Sequence, residues 1–149
     1  MRLQRAEQAI WEDAGASFAV EAVGQSDVSA AAAFDDLLRR SVEGNSAVAS
    51  LLGVDRLRVS QWIRDRSLYA FSRADTRYFP RWQFADGGTL PGLREVVGAL
   101  DAGLHPLVVD HWFTTPSVDL EIGEAAVSPV TWLGTNGDPR LLDELAVDL

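Results

Sequence analysis

Residues 45–84 read NSAVASLLGVDRLRVSQWIRDRSLYAFSRADTRYFPRWQF, and this stretch decides the fold. Asn45 or Ser46 is suited to cap a first helix carrying Val48, Leu51 and Leu52. Gly53 ends that helix, because a residue without a Cβ tolerates the left-handed exit. Val54 plugs the turn, and Asp55 is a natural N-cap for a second helix running to about Asp65. There Val59, Trp62 and Ile63 fall at i, i+3 and i+4 and form one buried stripe. At roughly 100° per residue the opposite face carries Leu57, Ser60, Gln61 and Arg64, with Arg56 and Arg58 on the flanks. Leu68 to Phe71 and Arg77 to Phe79 are rich in Leu, Tyr and Phe and read as two strands joined by the polar SRADT. Two short helices, a tight turn and a hairpin make a helix-turn-helix with a wing.

Charge distinguishes this stretch from its surroundings. It holds seven arginines (56, 58, 64, 66, 73, 77, 81) against three aspartates (55, 65, 75), a net +4. The rest of the chain carries six basic and nineteen acidic residues, within an overall charge of −9. A basic patch confined to one motif is the footprint of a nucleic-acid reader. An excess of acid elsewhere excludes a protein that coats DNA indiscriminately. Every basic residue is arginine, which suits bidentate contacts to phosphate and guanine.

With 149 residues, 47% of them hydrophobic, the chain is long enough for one domain with a real core, or one small domain with helical extensions. Cysteine is absent, which excludes disulfides, thiol catalysis and Cys-based zinc sites. No apolar run approaches the roughly 20 residues of a membrane span. The start, MRLQRAEQAIWEDAG, lacks the apolar core of a signal peptide. A cytoplasmic location with no membrane contact is therefore expected.

Outward from the central stretch, Arg2 to Asp13 is helix-compatible, and AGASFAVEAVGQS is ambiguous because Gly15 and Gly24 weaken a continuous helix. A better helix starts at Ser26 or Asp27 and ends in Arg39 and Arg40, with Ala30, Phe34, Leu37 and Leu38 as its packing stripe. Ser41 to Gly44 is the expected joint. Beyond the wing, Pro80 is placed to open a short helix, after which Trp82 and Phe84 pack back. ADGGT reads as a loop. It leads to a helix over Pro91 to Leu100 (Leu93, Val96, Val97, Leu100 inward) and one over His105 to Phe113. A hairpin at Leu120–Val127 turns at Gly123. Then come two short helices, the first started by Ser128-Pro129 and holding Trp132. The second, started by Asp138-Pro139, turns Leu141, Leu142, Leu145 and Leu149 inward. The expected class is mainly α with small β-hairpins (α+β): residues 1–44 form a helical extension, 45–84 the winged helix-turn-helix, and 85–149 a helical partner-binding region.

The inventory holds no catalytic chemistry that can be recognised. His105 and His111 are six apart and turn to opposite sides of a helix, so no metal site is expected. No Gly-rich phosphate loop or nucleophile elbow is present, and no cofactor is implied. Asp119, Glu121 and Glu124 read as a solvated face of the hairpin. The expectation is a protein that is not an enzyme.

Three stretches carry a resemblance. LLGVDRLRVSQWIRDRSLYAF followed by RYFPRWQF resembles the excisionase and MerR-type winged-helix pattern. LPGLREVVGALDAGLHPLVVDHWFTTPSVDL is similar to a small actinobacterial winged-helix DNA-binding family. EAAVSPVTWLGTNGDPRLLDELAVDL resembles the C-terminal segment of Xre/MbcA/ParS-type antitoxins. The resemblance implies an antitoxin-like regulator partnered with a RES-type toxin, with Ser128, Pro129, Trp132, Gly137 and Asp138 in the toxin-binding region. The sequence reading then becomes a homodimer on double-stranded DNA. Ser60, Gln61 and Arg64 point into the major groove, while Arg56, Arg58, Arg66, Arg73 and Arg77 mainly neutralise phosphate. For Arg73 and Arg77, plain exposed hairpin charges are an equal reading. The alternatives are a stand-alone winged-helix or excisionase-like protein, and a protein-interaction module that does not bind DNA.

Overall fold

The computed structural model describes residues 20–149. The helix expected over Arg2–Asp13, and Gly15 with its neighbours, lie outside the described residues. The chain begins with α1 (Val20–Arg39), β1 (Ser41–Glu43), α2 (Asn45–Leu52), α3 (Arg56–Arg64), β2 (Phe71–Arg73) and β3 (Thr76–Pro80). A single 3-10 turn (Arg81–Gln83) leads to a small hairpin, β4 (Phe84–Ala85) and β5 (Gly88–Thr89). The C-terminal part is α4 (Leu93–Ala99), α5 (Pro106–Thr114), β6 (Ser117–Ile122), β7 (Ala125–Val127), α6 (Pro129–Gly134) and α7 (Pro139–Ala146). The fold is α+β, a winged helix-turn-helix backed by a helical region.

The module starts earlier than its sequence signature. Ser41 to Gly44 is not a joint: Ser41, Val42 and Glu43 pair with Pro80, Phe79 and Tyr78, so β1 completes an antiparallel sheet of order β1-β3-β2. α1 also begins before Ser26 and passes through Gly24. Its buried Leu37 and half-buried Ala30, Phe34 and Leu38 form the expected stripe.

Within the helix-turn-helix, α2 buries Val48 and Ala49, with Leu52 half-buried, while Leu51 is exposed rather than inward. Neither Asn45 nor Ser46 caps α2. Gly44 precedes the helix with no side-chain cap, and its N–H donates to the Arg77 carbonyl (2.8 Å), tying the helix to the wing strand. Gly53 exits at φ 71°, its N–H donating back to the Ala49 carbonyl, a conformation that a Cβ disfavours. The wing is tighter than SRADT suggests. Arg73 pairs with Thr76, leaving a two-residue turn of Ala74 (φ 51°) and Asp75 (φ 66°). Positive φ at both centres is the turn whose twist matches a hairpin. ADGGT repeats the device at Asp86 (φ 53°) and Gly87 (φ 77°), making a hairpin where a loop was expected. Pro80 opens only the 3-10 turn.

One core runs through both halves. Val42, Val48, Val59, Leu68 and Phe79 of the winged helix join Leu93, Val96, Val97, Val109, Phe113, Leu120, Leu133 and Leu142 in a single cluster. α4 and α7 pack together through the expected faces, although Leu149 is exposed. Among the described residues no helix is long and apolar enough to cross a membrane.

Candidate nucleic-acid interface

α3 is held at three points, and that decides which of its residues face water. Asp55 adopts extended backbone, and its Oδ1 accepts the Arg58 N–H (2.8 Å), as an N-cap should. Val59 is fully buried, with Trp62 and Ile63 packed beside it. Asn45 Nδ2 of α2 donates to Ser60 Oγ (3.2 Å), fixing one helix against the other. Ser60 is half-buried and engaged, and its hydroxyl keeps its own proton to donate and one lone pair to accept. Leu57, Gln61 and Arg64 are exposed along the outward stripe.

The flanks differ. Arg56 lies toward α2, in a shallow groove with Gly44, Asn45, Ser46, Asp55, Leu57 and Ser60. Arg58 takes the other flank, its guanidinium 5.8 Å from the Trp62 ring centroid, a cation–π placement. Arg77 shares the pleat face of buried Phe79, on the side of α2, and its side chain is exposed.

Two arginines expected on phosphate have other tasks. Arg66 sits at φ 62°, and its Nη2 donates to the carbonyls of Val97 (2.8 Å) and Leu100 (2.7 Å), capping the end of α4. Its guanidinium is engaged as a helix cap. Arg73 shares its pleat face with Phe71, opposite to Arg77, and packs on α1. Its guanidinium lies 5.3 Å from the Phe34 ring centroid, and its Nη1 is 3.4 Å from Asp35 Oδ1. The exposed arginine set brought onto the helix-turn-helix side is therefore Arg56, Arg58, Arg64 and Arg77.

The five residues assigned to a partner all serve the corner between α6 and α7. Ser128 Oγ accepts the Thr131 N–H, and buried Pro129 occupies the first turn. Trp132 Nε1 donates to the Asp138 carbonyl (3.0 Å), with the indole lying over Gly137. A Cβ on Gly137 would come within 2.5 Å of the Trp132 ring, so only glycine fits. Asp138 caps α7 through the Arg140 N–H, and the same contacts hold its carboxyl below its ordinary range. Ser128, Pro129, Trp132, Gly137 and Asp138 together build this corner.

The sequence reading missed Asp110. This buried carboxylate takes both Nη atoms of Arg40 (3.1 Å each) and Trp82 Nε1 (3.0 Å). Trp82 in turn stacks on Phe113, ring centroids 4.2 Å apart. Burial, with Asp110 nearby, holds the Tyr69 phenol well above its ordinary range. The one available signal was an aspartate on the apolar side of a helix. His105 caps α5, its Nδ1 accepting the Leu107 N–H (3.0 Å), and burial lowers its pKa; His111 lies 3.3 Å from Thr115 Oγ1. Among the described residues no three His, Asp or Glu side chains form a group able to hold a metal ion.

No protein-family model matches the chain, and no curated protein sequence does. Among solved structures, the chain is similar to the NMR structure of Rv2175c. The two are 27% identical across 70% of this chain and 78% of that one, with a TM-score of 0.53. The likeness is one of fold, and it spans more residues than the winged helix alone.

Proposed function

We propose that the protein is a sequence-specific regulator of double-stranded DNA whose α3 reads the major groove. The observation that carries this reading is the outward stripe of α3. Gln61 and Arg64 stand in water on a helix fixed by its cap, its core face and the Asn45–Ser60 bond. An amide of this kind pairs with adenine and a guanidinium with guanine, each worth about 1–3 kcal/mol of discrimination. Arg56 and Arg77 lie toward the neighbouring α2 and supply phosphate contacts that set register and salt dependence.

Selection of duplexes by the purified protein, followed by titration of variants, tests this. Gln61→Ala is expected to relax preference at one base position. Arg77→Ala weakens all duplexes alike and reduces the salt slope by about 1. Arg66→Ala lowers stability and leaves base preference unchanged. Equal losses on selected and random duplexes for Gln61→Ala remove it from base reading.

A second activity, binding of a basic protein partner such as a RES-type toxin, has its own supporting observation. The β6–β7 hairpin exposes Val118 (84%) and Ile122 beside Asp119, Glu121 and Glu124. No arginine or lysine occurs between residues 95 and 139. Co-expression with the neighbouring gene product is expected to yield a complex that Glu121→Arg weakens. Absence of a complex leaves a stand-alone regulator.

A further inference from the structure

Leu57 is the outward residue that the proposed polar contacts leave unexplained. It sits in the first turn of α3, 73% exposed, and is absent from the packed core and its flanking apolar shell. Leaving a leucine in water forgoes the stabilisation its burial gives elsewhere. With Ser60, Gln61 and Arg64 it occupies i, i+3, i+4 and i+7, the single stripe that turns away from the core. Its neighbours in the shallow groove are Gly44, Asn45, Ser46, Asp55, Arg56 and Ser60, none of them a large apolar side chain. A lone leucine among charged and polar groups is too small an apolar patch to seat a protein. A phosphate contact is excluded by its chemistry. The opening turn of a recognition helix is the part that meets base edges, and the apolar group exposed in the major groove is the thymine C5-methyl.

We propose that Leu57 determines specificity for a thymine by packing its Cδ methyls on that base's C5-methyl. The inference rests on the DNA-reading function, and its test separates the two. The best duplex selected by the full-length protein is remade with each thymine replaced singly by deoxyuridine, which removes only the methyl. Wild type is expected to lose about fourfold in affinity at the contacted thymine, equivalent to one buried methyl at about 0.8 kcal/mol. Leu57→Ala binds the thymine and uracil duplexes equally and keeps the wild-type salt slope. Leu57→Gln, also a good helix former, shifts the selected base at that position toward adenine. Because the side chain is exposed, far-UV circular dichroism of both variants should match wild type. Specific binding with no thymine–uracil difference at any position overturns the Leu57 assignment and leaves the DNA reading intact. So does a Leu57→Ala variant that still discriminates. Failure to enrich any duplex overturns both.

Discussion

Asp143 lies on α7 near Glu95 and Asp138, and its Oδ1 is buried with no hydrogen-bond partner among the described residues. Burial first, then the two neighbouring carboxylates, pushes its pKa above the ordinary 3.8. An acid whose folded pKa is raised takes up its proton earlier in the native state than in the unfolded chain. Its penalty is therefore present at neutral pH and relieved as pH falls through the raised value. Asp36, Asp65 and Asp138 are shifted the other way by Arg40, Ser67 and Arg140 respectively, so their contributions fade only below 3.8. Buried His105 acts in the opposite sense below its ordinary 6.5, where the unfolded chain takes up that proton first, so the Asp143 contribution is read as the difference between wild type and Asp143→Asn. Asp143→Asn is expected to raise Tm at pH 7, with an advantage over wild type that shrinks as pH falls through the raised pKa toward 3.8, read by thermal melts across pH. A Tm difference between the two proteins that stays constant between pH 7 and 4 counts against this account. Residues whose partner is close in sequence were legible: Asp55 with Arg58, Ser128 with Thr131, Asp138 with Arg140. Arg66 and Arg73 were not, because their partners lie 31 to 38 residues away and nothing local marks them.

At the scale of elements, pattern length decided what was legible. α4 and α7 repeat their apolar positions over two turns, and both appear with the expected faces. β1 has three residues, too few for an alternation to register, and only the ladder to β3 reveals it. Leu51 shows the related limit in α2, where an eight-residue helix fits two apolar stripes and packing against the sheet chose Val48 and Ala49. The wing was recognised, but its turn was misjudged because Ala74-Asp75 is not a residue pair that advertises positive φ. That mismatch is a stored cost, since left-handed backbone disfavours a Cβ by roughly 1–2 kcal/mol. Asp75→Gly relieves it, less the entropy glycine loses on folding, for a net gain of about 0.5–1 kcal/mol. Chemical denaturation should show a higher midpoint at constant slope, and a loss of stability would mean that the Asp75 carboxylate has an unrecognised role.

For the whole molecule, the question is whether the reading module and the acidic half behave as one body. The apolar core is continuous between them, and Asp110 pins the polar seam by holding Arg40 from the end of α1 and Trp82 from beyond the wing. The Arg40–Asp110 contact spans 70 residues, so no window of sequence shows it. The carboxylate is nearly enclosed while the guanidinium is 44% exposed, so the ion pair is only partly desolvated. Removing one partner of a fully buried pair costs about 3–5 kcal/mol; with Arg40 still reaching water, Asp110→Ala is expected to cost about 2–3 kcal/mol. Replacing both, as Arg40→Met with Asp110→Leu, removes the charge left behind and should recover most of that loss. The decisive observable is the number of transitions in urea. Wild type and the double variant should unfold once, with coincident tryptophan fluorescence and far-UV signals. Trp82 lies on the seam, so Asp110→Ala should shift its fluorescence transition to lower urea if the polar anchor, and not the apolar contact alone, couples reading head to acidic body. Coincident transitions in Asp110→Ala would assign that coupling to the shared core.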